Sequence, residues 1–118
     1  MIEPSTPSTL EAWTEQIKRD VSEHPVFIFA KGEKNAAMCG FSHRVMEVFN
    51  RMGVDFHVRN IFADPNIRPA LCAYTDWPTT PQVFVGGKFI GGCDIVTEMY
   101  QNGELKTLLE QTQPGGGA

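Results

Sequence analysis

Two spacings of apolar residues alternate along the chain, and together they predict its elements. Leu10, Trp13, Ile17 and Val21 recur three and four apart, which predicts a helix over residues 9–22. Ser8 and Glu11 stand ahead of it at capping-box spacing. Pro25 to Ala30 is then continuously apolar, short and β-rich, so it reads as a strand buried on both faces. Phe41, Val45, Val48, Phe49 and Met52 mark a second helical face, and Gly53 ends it. From Asp55 to Ile61 the pattern alternates, with Phe56 and Val58 inward and His57 and Arg59 outward, so His57 reads as a surface side chain. Asp64-Pro65 is a helix start, with Ile67, Leu71 and Tyr74 facing the core. Pro69 lacks a donor and predicts a late start or a kink. Val83 to Val85, Gly86-Gly87 and Lys88 to Ile90 form a two-residue hairpin. A helix begins in Ile95 to Tyr100, Asn102-Gly103 breaks it, and Glu104 to Gln111 makes a last one on Leu105, Leu108 and Leu109.

The order is α-β-α-β-α-β-β-α-α, an α/β class. A strand buried on both faces belongs mid-sheet between helices, and residues 25–61 make a right-handed crossover with a parallel pair. No internal repeat is visible. Residues 1–7 are polar with two prolines and residues 113–118 are glycine-rich, so both read as loose tails around one domain at 8–112.

Charge and cysteine usage narrow the function classes. The 118 residues carry 10 Lys and Arg against 14 Asp and Glu, a net charge of −4, with no basic run. That argues against nucleic acid as a partner. No apolar run approaches membrane-spanning length, and no secretory or transit-peptide pattern is visible. Cys39, Cys72 and Cys93 are odd in number and widely spaced, which speaks against a disulfide framework and for a reducing compartment.

Candidate chemistry centres on Cys39. It stands just before a helix, where unpaired N–H groups and the helix dipole favour a thiolate. The small Gly40 follows it, and Ser42 stands where a dithiol site would carry a second cysteine. A lone cysteine at a turn is more often an inert core residue, but the helix start, the small Gly40 and the apolar strand leading in together favour a functional thiol. Lys31 ends the buried strand, at the edge where α/β proteins bind ligands, which suits an anion-binding role. Gly91-Gly92-Cys93-Asp94 opens a later helix, where a ligand's charged group can approach backbone N–H groups. A tight strand-to-helix turn explains that motif equally well. Cys72 reads as a small core residue.

Cys39-Gly40-Phe41-Ser42, Trp77-Pro78-Thr79, Pro81-Gln82 and Gly91-Gly92-Cys93-Asp94-Ile95, in this order, resemble the monothiol glutaredoxins of the CGFS type, over Val26 to Leu109. The resemblance implies a thioredoxin fold, a central four-stranded mixed sheet flanked by helices. It implies binding of glutathione and of a 2Fe–2S cluster shared between two chains, and a role as cluster scaffold and carrier. Carried over position by position, Lys31 and Arg68 would hold the glycine carboxylate of glutathione. Thr80 would pair its backbone with the cysteinyl part, ahead of a cis Pro81. Cys93 and Asp94 would hold the γ-glutamyl end, and Cys39 would be the thiolate and metal ligand. The implied partners are cluster donor and acceptor proteins, BolA-like proteins among them. The chain would be a homodimer when cluster-bound and otherwise a monomer, in the mitochondrial matrix of a eukaryote or else in the cytoplasm. Two features depart from the family pattern. The loop Gly32 to Met38 lacks the usual prolines, so greater mobility is expected there, and Pro69 directly follows Arg68.

Two other readings stand beside this one. With Ser42 in place of a second thiol, a glutathione-dependent oxidoreductase using Cys39 would need a second glutathione, or Cys93, to resolve its mixed disulfide. A zinc module using Cys39, Cys72, Cys93 and a histidine has against it the lack of any closely spaced cysteine pair.

Overall fold

A computed structural model describes residues 9–112. The expected tails at 1–7 and 113–118, and Ser8, lie outside the described residues. In chain order the elements are α1 (Leu10–Glu23), β1 (Val26–Ala30), β2 (Gly32–Glu33), β3 (Ala36–Ala37), α2 (Gly40–Met52), β4 (His57–Asn60), α3 (Ile67–Thr75), β5 (Gln82–Val85), β6 (Lys88–Gly91), α4 (Cys93–Asn102) and α5 (Glu104–Thr112). A single 3-10 turn, Ile61–Ala63, follows β4.

The main sheet has the order β4-β1-β5-β6. β1 runs parallel to β4 and antiparallel to β5, and β6 pairs antiparallel with β5. This is the thioredoxin fold with its four-stranded mixed sheet. All five residues of β1 are buried, as a continuous apolar run requires at the sheet centre. They divide by the period of two. Val26, Ile28 and Ala30 pack with residues of α2, α4 and α5, whereas Phe27 and Phe29 pack with residues of α1 and α3. Each fully buried side chain of this size contributes about 1.5–3 kcal/mol, so the sheet is firmly held on both faces.

Of the local expectations, the late start of α3 is met, and the inward placing of Tyr74 and of Phe41 is corrected. The first helix is capped by Thr9, whose side chain accepts from Ala12 N; the expected Ser8–Glu11 pairing involves a residue outside those described. α3 starts late, at Ile67. Pro69 therefore falls in the first turn, where its missing N–H would have had no helical partner. Tyr74 is 39 % exposed, and Ala70 takes its expected place beside Ile67 and Leu71. Phe41 is 64 % exposed and lies outside the core.

The loop before Cys39 is a small hairpin, β2 to β3, with a strand-like register of Gly32 to Ala37 and Glu33 to Ala36. Side chains hold it in place. Asn60 Oδ1 accepts from Gly32 N at 3.1 Å, Met46 Sδ from Asn35 N at 3.3 Å, and Asn35 Oδ1 from Asn50 Nδ2 at 2.7 Å. Lys34 Nζ lies 2.7 Å from Asp55 Oδ1 and 4.6 Å from the centre of the Phe56 ring. The ammonium holds the Asp55 carboxyl below the usual carboxylate range.

Candidate functional site

β1 delivers the chain to the edge of the sheet, the hairpin turns it, and α2 begins. Cys39 is the N-cap of α2, and its Sγ accepts from Ser42 N at 3.4 Å. The Ser42 hydroxyl lies 3.3 Å from the same sulfur. The thiol donates to it; once the sulfur is ionised, the hydroxyl turns and donates back. Ser42 is itself fully buried, and its oxygen accepts from Lys31 N at 3.1 Å. That bond occupies one lone pair of the hydroxyl and leaves its proton free for sulfur. Partial burial alone would raise the Cys39 pKa. The Ser42 hydroxyl, the backbone N–H groups of Ser42 and Phe41, and the charge of Lys31 outweigh it, so the thiol is more acidic than usual.

Beside the thiol opens a cleft of ≈ 380 Å³. Lys31 and Arg68 stand on its lining, together with Thr80, Cys93 and Asp94. Phe41, Trp77, Thr79 and Ile95 also face it. The cleft thus gathers all five residues carried over for ligand binding; the sixth, Cys39, is not on its lining and stands two residues before Phe41, which is. Its charge is divided between two cations, Lys31 and Arg68, and the α4 N-terminus with Asp94. A long peptide-like ligand with ionised ends suits that division. The Thr80–Pro81 peptide bond is cis. Arg68 Nη2 donates to Pro78 O at 2.9 Å, so Pro69 leaves the guanidinium reaching the cleft loop.

The other two cysteines differ in kind. Cys93 is buried at the first turn of α4, its sulfur 4.0 Å from Thr97 Oγ1. Cys72 is half-buried on α3, its sulfur 4.0 Å from Gln82 Nε2. Among the described residues, no three His, Cys, Asp or Glu side chains converge to hold a metal ion. His57 is exposed and stacks on His24, with ring centres 3.7 Å apart.

Some participants escaped sequence reasoning. Phe41 obeys the helical spacing, yet in the first turn it points past the core to the cleft. Ser42 reads as an absence of a thiol, although it ties the strand end to the sulfur. Gln82 is a polar residue opening an apolar strand, and that break in pattern was its signal.

A redox-type thiol on the N-cap of a helix, beside a cleft built on a cis-proline loop, defines a thioredoxin-fold thiol protein. The glutaredoxin family profile matches residues 26–90. "Probable monothiol glutaredoxin 2" of Rickettsia felis is 45 % identical over 96 residues, covering 81 % of this chain and 92 % of that one. Among solved structures, a buckwheat glutaredoxin–glutathione complex superposes with a TM-score of 0.79 at 30 % identity, covering 90 % of this chain and 96 % of that one. The holo form of glutaredoxin C1 from Populus tremula x tremuloides gives 0.78 at 34 % identity, covering 87 % and 91 %. The chain belongs to the glutaredoxin family, among its monothiol members. Among the described residues no helix is long and apolar enough to cross a membrane.

Proposed function

We propose that this protein binds glutathione in the cleft beside Cys39 and carries a 2Fe–2S cluster as cargo, held between two chains by two Cys39 thiolates and two glutathione thiols. The observation that carries the reading is the donor set. A 2Fe–2S cluster commonly takes four thiolates. One chain offers a single acidified thiol at an exposed edge, Cys39. Cys93 is buried, and Cys72 lies on another element. Lys31 and Arg68 would hold the glycine carboxylate, the Thr80 backbone the cysteinyl part, and Cys93 and Asp94 the γ-glutamyl end at the α4 N-terminus. This places the glutathione sulfur toward Cys39. The cations and the two helix N-termini offset the negative charge of ligand and cluster. The buckwheat complex supports glutathione as the occupant of such a cleft.

The domain would act at 8–112, as a dimer when loaded and a monomer when not. It would exchange cluster with donor and acceptor proteins, BolA-like proteins among them, in the mitochondrial matrix of a eukaryote or otherwise in the cytoplasm.

The test is reconstitution with iron, sulfide and glutathione in the absence of oxygen. Visible absorbance and bound iron are expected with Cys39 and glutathione both present. They are expected to vanish in Cys39→Ser, because a hydroxyl is a poor ligand for a soft site, and when glutathione is omitted. Cluster formed equally well without any added thiol would overturn the scheme. The same acidified thiol favours a second reading, a glutathione-dependent oxidoreductase. Rapid turnover on a glutathione mixed disulfide, comparable to a dithiol glutaredoxin, would select it. Slow turnover is expected, since Ser42 cannot resolve the intermediate.

A further inference from the structure

Gln82 opens β5 opposite Phe29, on the sheet face covered by α1 and α3, and is fully buried. A carboxamide brings two N–H bonds and one oxygen into the core. Its nitrogen donates to Trp77 O at 3.1 Å and to Thr79 O at 3.0 Å. Its Oε1 is buried without a partner. An orphaned acceptor costs stability that an apolar side chain of similar size would not forfeit. As a core residue Gln82 is therefore a poor choice, and its use lies in the two carbonyls it grips.

Those carbonyls belong to the loop between α3 and β5, whose Trp77, Thr79 and Thr80 line the cleft. Phe89 packs edge-on against Trp77, and Arg68 and Gln82 hydrogen-bond to the loop's carbonyls. Arg68 does so from the solvent side, at Pro78 O, and is exposed. On the reading above it also turns to the ligand's carboxylate. Gln82 is the hydrogen-bonding side chain that still grips when Arg68 turns.

We propose that Gln82 is a positioning residue of the glutathione cleft: its two N–H groups lock the Trp77 and Thr79 carbonyls from inside and so present the Thr80 backbone in a ligand-ready orientation. The inference rests on the glutathione reading and adds to it a residue that touches no ligand. Its energetic content is preorganisation. Without the lock, the loop must be ordered at the moment of binding, and affinity falls by that cost.

Gln82→Leu keeps the volume and removes both donors and the orphan, so the variant is expected to fold. Glutathione affinity by calorimetry is expected to fall about tenfold, a scale set by one ordering step. Amide exchange at Trp77, Thr79 and Thr80 is expected to quicken in the ligand-free protein, with β1 and β4 unchanged. Alkylation of Cys39 by iodoacetamide, which does not use the cleft loop, controls for an intact thiol. Should Gln82→Leu not fold, Gln82→Met provides the same comparison. Unchanged affinity together with unchanged loop exchange overturns the proposal. So does a loss of overall stability with full affinity in the folded fraction, which marks a merely structural residue. A wild-type protein that binds no glutathione overturns the underlying reading instead, and the loop exchange still reports whether Gln82 holds the loop.

Discussion

Replacing Gly32 by alanine tests how the thiol is delivered to its place. Gly32 has φ +114°, a region that side chains rarely enter. A Cβ there would stand 2.5 Å from Ala36 O, 2.8 Å from Met38 N and 2.9 Å from Ala37 Cα. All three atoms are backbone of the facing strand or of the residue just after it, so no rotamer change relieves the contact. The torsion alone costs of the order of 1–3 kcal/mol. The clash adds to this until something opens. What opens is the hairpin, because its ties are single contacts: Gly32 N to Asn60 Oδ1 and Asn60 Nδ2 to Glu33 Oε2, both at 3.1 Å, Met38 N to Lys31 O at 2.8 Å, the Asn35 contacts, and an exposed ion pair at Asp55. Each hydrogen bond lost there costs about 0.5–1.5 kcal/mol, less than unfolding the sheet, so the damage stays local. Urea unfolding of Gly32→Ala is expected to show a stability loss of about 1–3 kcal/mol with an unchanged slope. Reaction of Cys39 with glutathione disulfide is expected to slow by about tenfold or more, because a misplaced nucleophile loses its orientation. Wild-type stability with a wild-type reaction rate would refute the view that the hairpin sets the thiol.

Three further outcomes follow from single contacts. Ser42→Ala removes a donor to the ionised sulfur, so the pH profile of Cys39 alkylation should move upward and the rate at neutral pH should fall, while Ser42→Thr keeps the hydroxyl; an unmoved profile would count against the Ser42 hydroxyl as a thiolate donor. The sign agrees with linkage: a lowered thiol pKa gives stability present above the unfolded pKa and lost as pH falls through the folded one. Gly92→Ala puts a Cβ 3.2 Å from Pro81 O and 3.9 Å from Trp77 Nε1, inside the cleft, so calorimetry should show several-fold weaker glutathione binding with little change in melting temperature. Asp20→Ala breaks the pairing of Arg59 Nε and Nη2 with a carboxylate that is 5 % exposed, and should cost about 2–3 kcal/mol in urea unfolding; a loss near zero would mean the pair is screened as a surface bridge is.

The buried strand Val26–Ala30, the Gly86-Gly87 hairpin and the glycine ends of α2 and α4 were legible because each rests on a local rule. Apolar continuity marks a central strand, and positive φ selects glycine at Gly53, Gly86, Gly87 and Gly103. The errors arose where tertiary packing overrode periodicity. Tyr74 has the right spacing, but a helix starting at Ile67 buries Ala70 and Leu71 and leaves the ring at the rim. Phe41 sits in the first turn of α2 and faces the cleft, while Ser42 beside it takes the buried position against the end of β1. The hairpin before Cys39 was invisible for another reason. Its side-chain ties join residues 11 to 28 positions apart, such as Asn35 with Met46 and Gly32 with Asn60, and no local pattern carries them. The cleft residues were assigned through motif order. The structure puts Lys31, Arg68, Thr80, Cys93 and Asp94 on one cleft, whereas Gln82 stands within the quoted motifs but receives no role from them, because it acts from beneath.

The shared-cargo account is tested most directly by native mass spectrometry of the protein reconstituted under argon with iron, sulfide and glutathione. The account predicts one species of two chains, one 2Fe–2S unit and two glutathiones, which separates into single chains when the cluster is lost. A cluster held by one chain, or by two chains without glutathione, would contradict it.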